Sequence, residues 1–80
     1  MDPEYRYWAW LAEGKSSVDD AREVIRTWTS PEGLDQEESY LPDSGWKTTW
    51  TYQDVRDQHK RGYLLPITED DVERFKQQQR

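Results

Sequence analysis

Five tryptophans and five tyrosines stand in a chain of 80 residues of which only 32% are hydrophobic. Too few aliphatic side chains are present to build a core alone, so indole and phenol rings must supply much of it. Each such ring buries roughly 150–250 Å², so a handful replaces many leucines. Their polar tips also need hydrogen-bond partners, which suits the same rings to a binding face. Length sharpens the demand, because a domain this small buries only about 60% of its unfolded surface. The chain has no cysteine for a disulfide and a single histidine for a zinc site. Aromatic packing or self-association is what remains to stabilise it.

Formal net charge is −6, from 17 acidic and 11 basic residues. A charged fraction of 35% points toward disorder, whereas 14% aromatic content points to a folded chain, and the rings decide for folding. Net negative charge weighs against general binding to nucleic-acid backbones, which relies on Lys and Arg releasing counterions. A basic surface on another protein is the more natural match. No run approaches the roughly 18 apolar residues of a membrane span. The start, Met1-Asp2-Pro3-Glu4, lacks the basic and apolar regions of a signal peptide. These features, with the missing cysteine, give the expectation of a soluble cytoplasmic protein and no membrane partner.

Glu4-Tyr5-Arg6-Tyr7-Trp8-Ala9-Trp10-Leu11-Ala12 is dense in strand-favouring aromatics. On a strand, Tyr5, Tyr7, Ala9 and Leu11 point one way and Arg6, Trp8, Trp10 and Ala12 the other. Neither face is cleanly polar, as in a central strand covered on both sides or an edge strand whose tryptophans meet a partner. Ser17 then caps a turn carrying Asp19 and Asp20. The next segment is ambiguous: Val18, Ala21, Ile25 and Trp28 share a helical face, yet residues 24–29 are β-branched and aromatic. The preferred reading is one turn at 18–21 and a strand over 23–29. Ser30-Pro31-Glu32-Gly33 supplies turn chemistry leading to a polar strand at 36–41. Across that hairpin Arg22 or Arg26 would face Glu37 or Glu38. A second turn at 42–45 leads into Trp46-Lys47-Thr48-Thr49-Trp50.

The C-terminal third repeats one local grammar. In 50–55 and 67–72 an apolar residue precedes a threonine, an acid follows three positions later, and valine closes the unit. This predicts two helices capped by Thr51 and Thr68, with hydrophobic staples from Trp50 to Val55 and from Ile67 to Val72. The first helix is expected to end by Gly62; the second carries Val72 and Phe75 inward and frays through 77–80. Residues 63–67 form a strand or extended connector.

His59 is the one side chain whose unperturbed pKa lies near neutrality, but no spacing supplies the nucleophile and orienting acid of a catalytic set. Glu69-Asp70-Asp71 follows a helix cap and lacks the alternating ligands and glycine of a calcium loop, so it complements the helix dipole. Asp35, Glu37 and Glu38 belong to a solvated loop and strand edge. No phosphate loop, nucleophile elbow or nucleotide fingerprint is present, and no metal or cofactor is expected.

The sequence therefore predicts a single α+β domain over 1–80. An antiparallel sheet of three or four strands is packed against by two short C-terminal helices. The expected role is a non-enzymatic, acidic interaction or regulatory module that binds another protein, possibly itself. Its expected face is the aromatic strand, with Trp8, Trp10, Tyr5 and Tyr7. A second class is single-stranded nucleic-acid binding by rings interleaved with cations, drawing on Trp46, Lys47, Trp50, Lys60 and Arg61, with Arg56 nearby. An acidic decoy of a nucleic-acid-binding protein is a variant of the first class. An enzyme using His59 with Asp54 or Asp57 is the third.

Overall fold

The computed structural model describes residues 4–78. The fraying expected at 79–80, and residues 1–3 at the start read for a signal peptide, lie outside the described residues. Five strands form one antiparallel sheet: β1 (Arg6–Leu11), β2 (Glu23–Thr29), β3 (Asp35–Leu41), β4 (Gly45–Thr48) and β5 (Tyr63–Ile67), in the order β4-β3-β2-β1-β5. Two α-helices accompany it, α1 (Thr51–Arg56) and α2 (Glu69–Gln78). The α+β expectation holds, with five strands where three or four were expected. The addition is β5, the short apolar segment, which pairs along β1 from Leu11↔Tyr63 to Tyr7↔Ile67.

The ambiguous segment resolves into a 3-10 turn at Val18–Asp20 followed by β2. Ser17 caps the turn by accepting a hydrogen bond from the Asp19 amide at 3.1 Å. Strand wins over helix there because β2 is paired on both sides, and tertiary pairing overrides a weak helical period. The β2–β3 turn closes as its residues dictate. The Ser30 hydroxyl accepts from the Leu34 amide at 3.1 Å, and Gly33 takes a φ of 83° that L side chains avoid.

Alternation in β1 gives the sheet two different faces. Register places Tyr7, Ala9, Val24, Arg26, Glu38, Tyr40 and Trp46 together on one side. Helix α2 covers this side, with Val72 and Phe75 packed on Val24 and flanked by Tyr7, Tyr40, Trp46 and Ile67. Trp8, Trp10, Glu23, Ile25 and Glu37 face the other way, toward α1, where Thr51 and Val55 are buried. The aliphatic core is small: Ala9, Leu11, Val24, Ile25, Val55 and Val72, with Phe75, are the buried hydrophobic residues.

The two capping units turn out differently. Thr68 and Asp71 form the expected reciprocal pair, the Thr68 hydroxyl accepting from the Asp71 amide at 3.2 Å and the Asp71 carboxylate from the Thr68 amide at 3.1 Å. Ile67 packs beside Val72 as the staple requires. At α1 the expected cap is corrected: Trp50 occupies the cap position without a side-chain bond, and Thr51 is already helical. The Thr51 hydroxyl donates instead to Glu23 of β2 at 3.0 Å, a long-range partner that local spacing does not reveal. Trp50 is 67% exposed, so it faces water where a staple would be buried. Helix α1 ends at Arg56, with Asp57 as its C-terminal cap, before Gly62 as expected. Gly62 does not itself follow the helix but is needed where the chain enters β5, since a Cβ there would collide with the Leu11 carbonyl oxygen.

Packing of α2 rests on two side chains, which makes its energetics testable. Phe75→Ala is expected to lower the unfolding free energy by about 3 kcal/mol or more, whereas Trp50→Ala should stay within about 0.5 kcal/mol of wild type. Urea unfolding followed by far-UV circular dichroism measures both.

Candidate functional site

On the α2 side, one cation organises the rings. The Arg26 guanidinium lies 4.4 Å from the ring centroids of both Tyr5 and Trp46, and 5.9 Å from that of Trp28. Its Nη2 and Nε donate to one Glu38 carboxylate oxygen at 2.7 and 2.9 Å, as cross-strand partners in the register. Lys76 of α2 extends the stack, 5.2 Å from the Tyr40 ring and 5.5 Å from Trp46. Tyr7 belongs to this side as well. Burial pushes its hydroxyl pKa up, and the Glu69 carboxylate adds to the rise, so the phenol stays neutral at physiological pH. Tyr5 and Tyr7 are thus engaged inside the domain, half-buried against rings and a cation of their own chain.

The α1 side is only partly covered, because a helix of six residues cannot span five strands. An open groove of about 1050 Å³ runs along the uncovered part. Trp8, Thr27 and Glu37 line it from the sheet, and Trp50, Tyr52 and Arg56 from the helix side. The Trp8 indole N–H donates to the Thr27 hydroxyl at 3.0 Å, and its ring lies 5.2 Å from that of Tyr52. The indole is therefore held by both partners, half-buried, with a minor part of its surface open to the groove. Trp50 and Leu34, 67% and 61% exposed, line the same groove.

Glu37 fixes the helix wall to the sheet. Its two carboxylate oxygens accept from the backbone amides of Tyr52 at 2.8 Å and Gln53 at 3.2 Å, occupying free donors of the first helical turn. Burial pushes its pKa up and Asp54 and Glu23 reinforce the rise, while the two amide bonds oppose it.

Of the four rings expected to form one face, the structure puts Trp8 and Trp10 on the α1 side and Tyr5 and Tyr7 on the other. Trp8 lies in the groove, whereas Trp10 acts as a pin. The Trp10 N–H donates to the Arg61 carbonyl at 2.8 Å, and Arg22 and Lys60 stand 5.6 and 5.3 Å from its ring. The alternative set also separates. Trp46 and Lys47 are successive strand residues on opposite faces, Lys60 and Arg61 gather at Trp10, and Trp50 alone lies in the groove. His59 is 73% exposed in its side chain, with the Asp54 carboxylate 3.9 Å away. Among the described residues no three His, Asp or Glu side chains converge to hold a metal ion, and no helix is long and apolar enough to cross a membrane.

Residue patterns did not point to Thr27, Glu37 or Tyr52 as groove residues. The available signal was alternation, which puts Thr27 on the same strand face as Ile25 and Glu37 opposite it. Comparison with known family models, curated proteins and solved structures found no match to this chain.

The position of Glu37 gives a pH test. A carboxyl raised in the folded state keeps its proton across a window in which the unfolded chain has lost it. Its contribution to stability therefore falls as pH rises from the ordinary carboxylate value through the folded one, and stays at the lower level above. Glu37→Gln cannot ionise and should lose this decline with pH, while giving up one of the two amide bonds because its side-chain NH2 cannot accept from a backbone N–H. Glu37→Ala removes both acceptors and should fall about 1 kcal/mol below the Gln variant. Urea midpoints across pH read all three.

Proposed function

We propose that this chain is a non-enzymatic interaction module that holds a segment of another protein in the groove between α1 and the sheet. The observation that carries this reading is a half-buried ring and an exposed ring that line one groove. Trp8 is locked by Thr27 and Tyr52, and Trp50 stands exposed beside it. Tryptophan and tyrosine are the residues most enriched where binding energy concentrates, because they bury large areas at little entropic cost. Every buried side-chain nitrogen and oxygen among the described residues already has a partner, so the polar groups of the interior are committed to structure. What the molecule offers a partner lies on its surface, and the groove is where rings and polar groups meet there.

Affinity capture from the host lysate tests this with two exposed-residue variants, each checked for folding. Leu41, 43% exposed, lies off the groove. A protein partner retained by wild type and Leu41→Ala but lost by Trp50→Ala is the expected result. Equal capture by Trp50→Ala, or capture of nucleic acid alone, would contradict the reading.

A further inference from the structure

We infer that the groove's occupant is an extended, cationic segment of a partner protein, presenting Lys or Arg side chains around one apolar anchor. This rests on the groove being the binding surface. Its floor belongs mainly to β1, β2 and β3, each already paired with a neighbour on both sides, and the edge strand β4 contributes only its last residue, Thr48. A bound segment cannot add itself as a strand there, so side chains must do the recognising. Four carboxylates line the groove, Glu4, Asp35, Glu37 and Asp57, against two cations, Arg6 and Arg56. Arg56 is turned onto Tyr52, 5.6 Å from its ring centroid and bonded to its hydroxyl at 3.3 Å.

Among the described residues none of these four carboxylates joins an ion pair; the pairs are Arg26–Glu38, Asp54–His59, Asp19–Arg74 and Glu73–Lys76. Glu37 is committed to the α1 amides and Asp35 accepts only from the Thr29 hydroxyl, at 3.4 Å, so Glu4, Asp35 and Asp57 carry charge available to a ligand. These are three carboxylates against the one cation, Arg6, that among the described residues is likewise outside the ion pairs and not turned onto a ring. Trp50 and Leu34 give the apolar anchor its place. A second copy of the chain would bring another −6 to the contact, and a nucleic-acid strand would bring phosphates; both oppose the field of the groove.

A displayed library of random short peptides, selected on the immobilised full chain at low salt, tests the charge and the groove separately. The expected outcome is enrichment of sequences combining Lys or Arg with one apolar anchor. Their binding should be lost with Trp50→Ala and be roughly fivefold weaker with Asp35→Asn and Asp57→Asn combined. Selected peptides that need Trp50 but show no cationic enrichment, or ignore the two Asn changes, would overturn the inference and leave the groove standing. Selection indifferent to Trp50, or none above background, would overturn both. An oligothymidylate that binds the groove more tightly than the selected peptides would overturn the inference in favour of nucleic acid.

Discussion

The rest of the molecule depends on one arginine being held between two rings. Arg26 sits near the middle of the sheet, where a larger domain would place leucine or isoleucine. Both it and Glu38 are four-fifths buried at the side chain. Burying a guanidinium is costly unless its charge and donors are answered. Glu38 answers the charge with two hydrogen bonds to one oxygen, and the rings of Tyr5 and Trp46 each lie 4.4 Å from the guanidinium carbon. An arginine is suited to this and a lysine is not, since the flat guanidinium stacks and donates in a fixed fork at once. With Lys76 laid over Tyr40 and Trp46, aromatic and cationic groups extend a core that Val24, Val72 and Phe75 begin.

This arrangement makes the two faces unequal. Helix α2, reaching across the α2 side, and the Arg26 stack beside it engage the rings of that face. The other side has α1 alone, a helix too short to cover it, tied down at its start by Glu37 and through Thr51 by Glu23. Trp8, half-buried, and Trp50, exposed, are left on a surface with carboxylates around them that join no ion pair among the described residues. The proposed binding groove is thus what remains when a chain poor in aliphatics commits its best packing to one side of its sheet.

Much of this was legible in residue patterns, and the remainder fails for identifiable reasons. The β2–β3 hairpin follows from Ser30-Pro31-Glu32-Gly33, and the Arg26–Glu38 pairing was one of the cross-strand options it implied. The reciprocal Thr68–Asp71 cap was written in adjacent residues, so it formed as read. The same grammar misled at Thr51, because the hydroxyl's better acceptor, Glu23, lies 28 positions away. Gly62 likewise serves a distant backbone, that of Leu11. The division of the rings was available from alternation alone: Tyr5 and Tyr7 cannot share a strand face with Trp8 and Trp10, nor Trp46 with Lys47. What alternation could not show is how far each helix reaches, and that decides which tryptophan is covered.

The most direct test is a double-mutant cycle on Arg26 and Glu38 in equilibrium unfolding, with Arg26→Lys as a third variant. A structural stack predicts that Arg26→Ala costs about 2 kcal/mol or more, that coupling to Glu38→Ala is at least about 1 kcal/mol, and that lysine recovers little of the loss. Contradiction would come from an Arg26→Ala variant within about 0.5 kcal/mol of wild type, the range of an ordinary surface residue, or from full recovery by lysine.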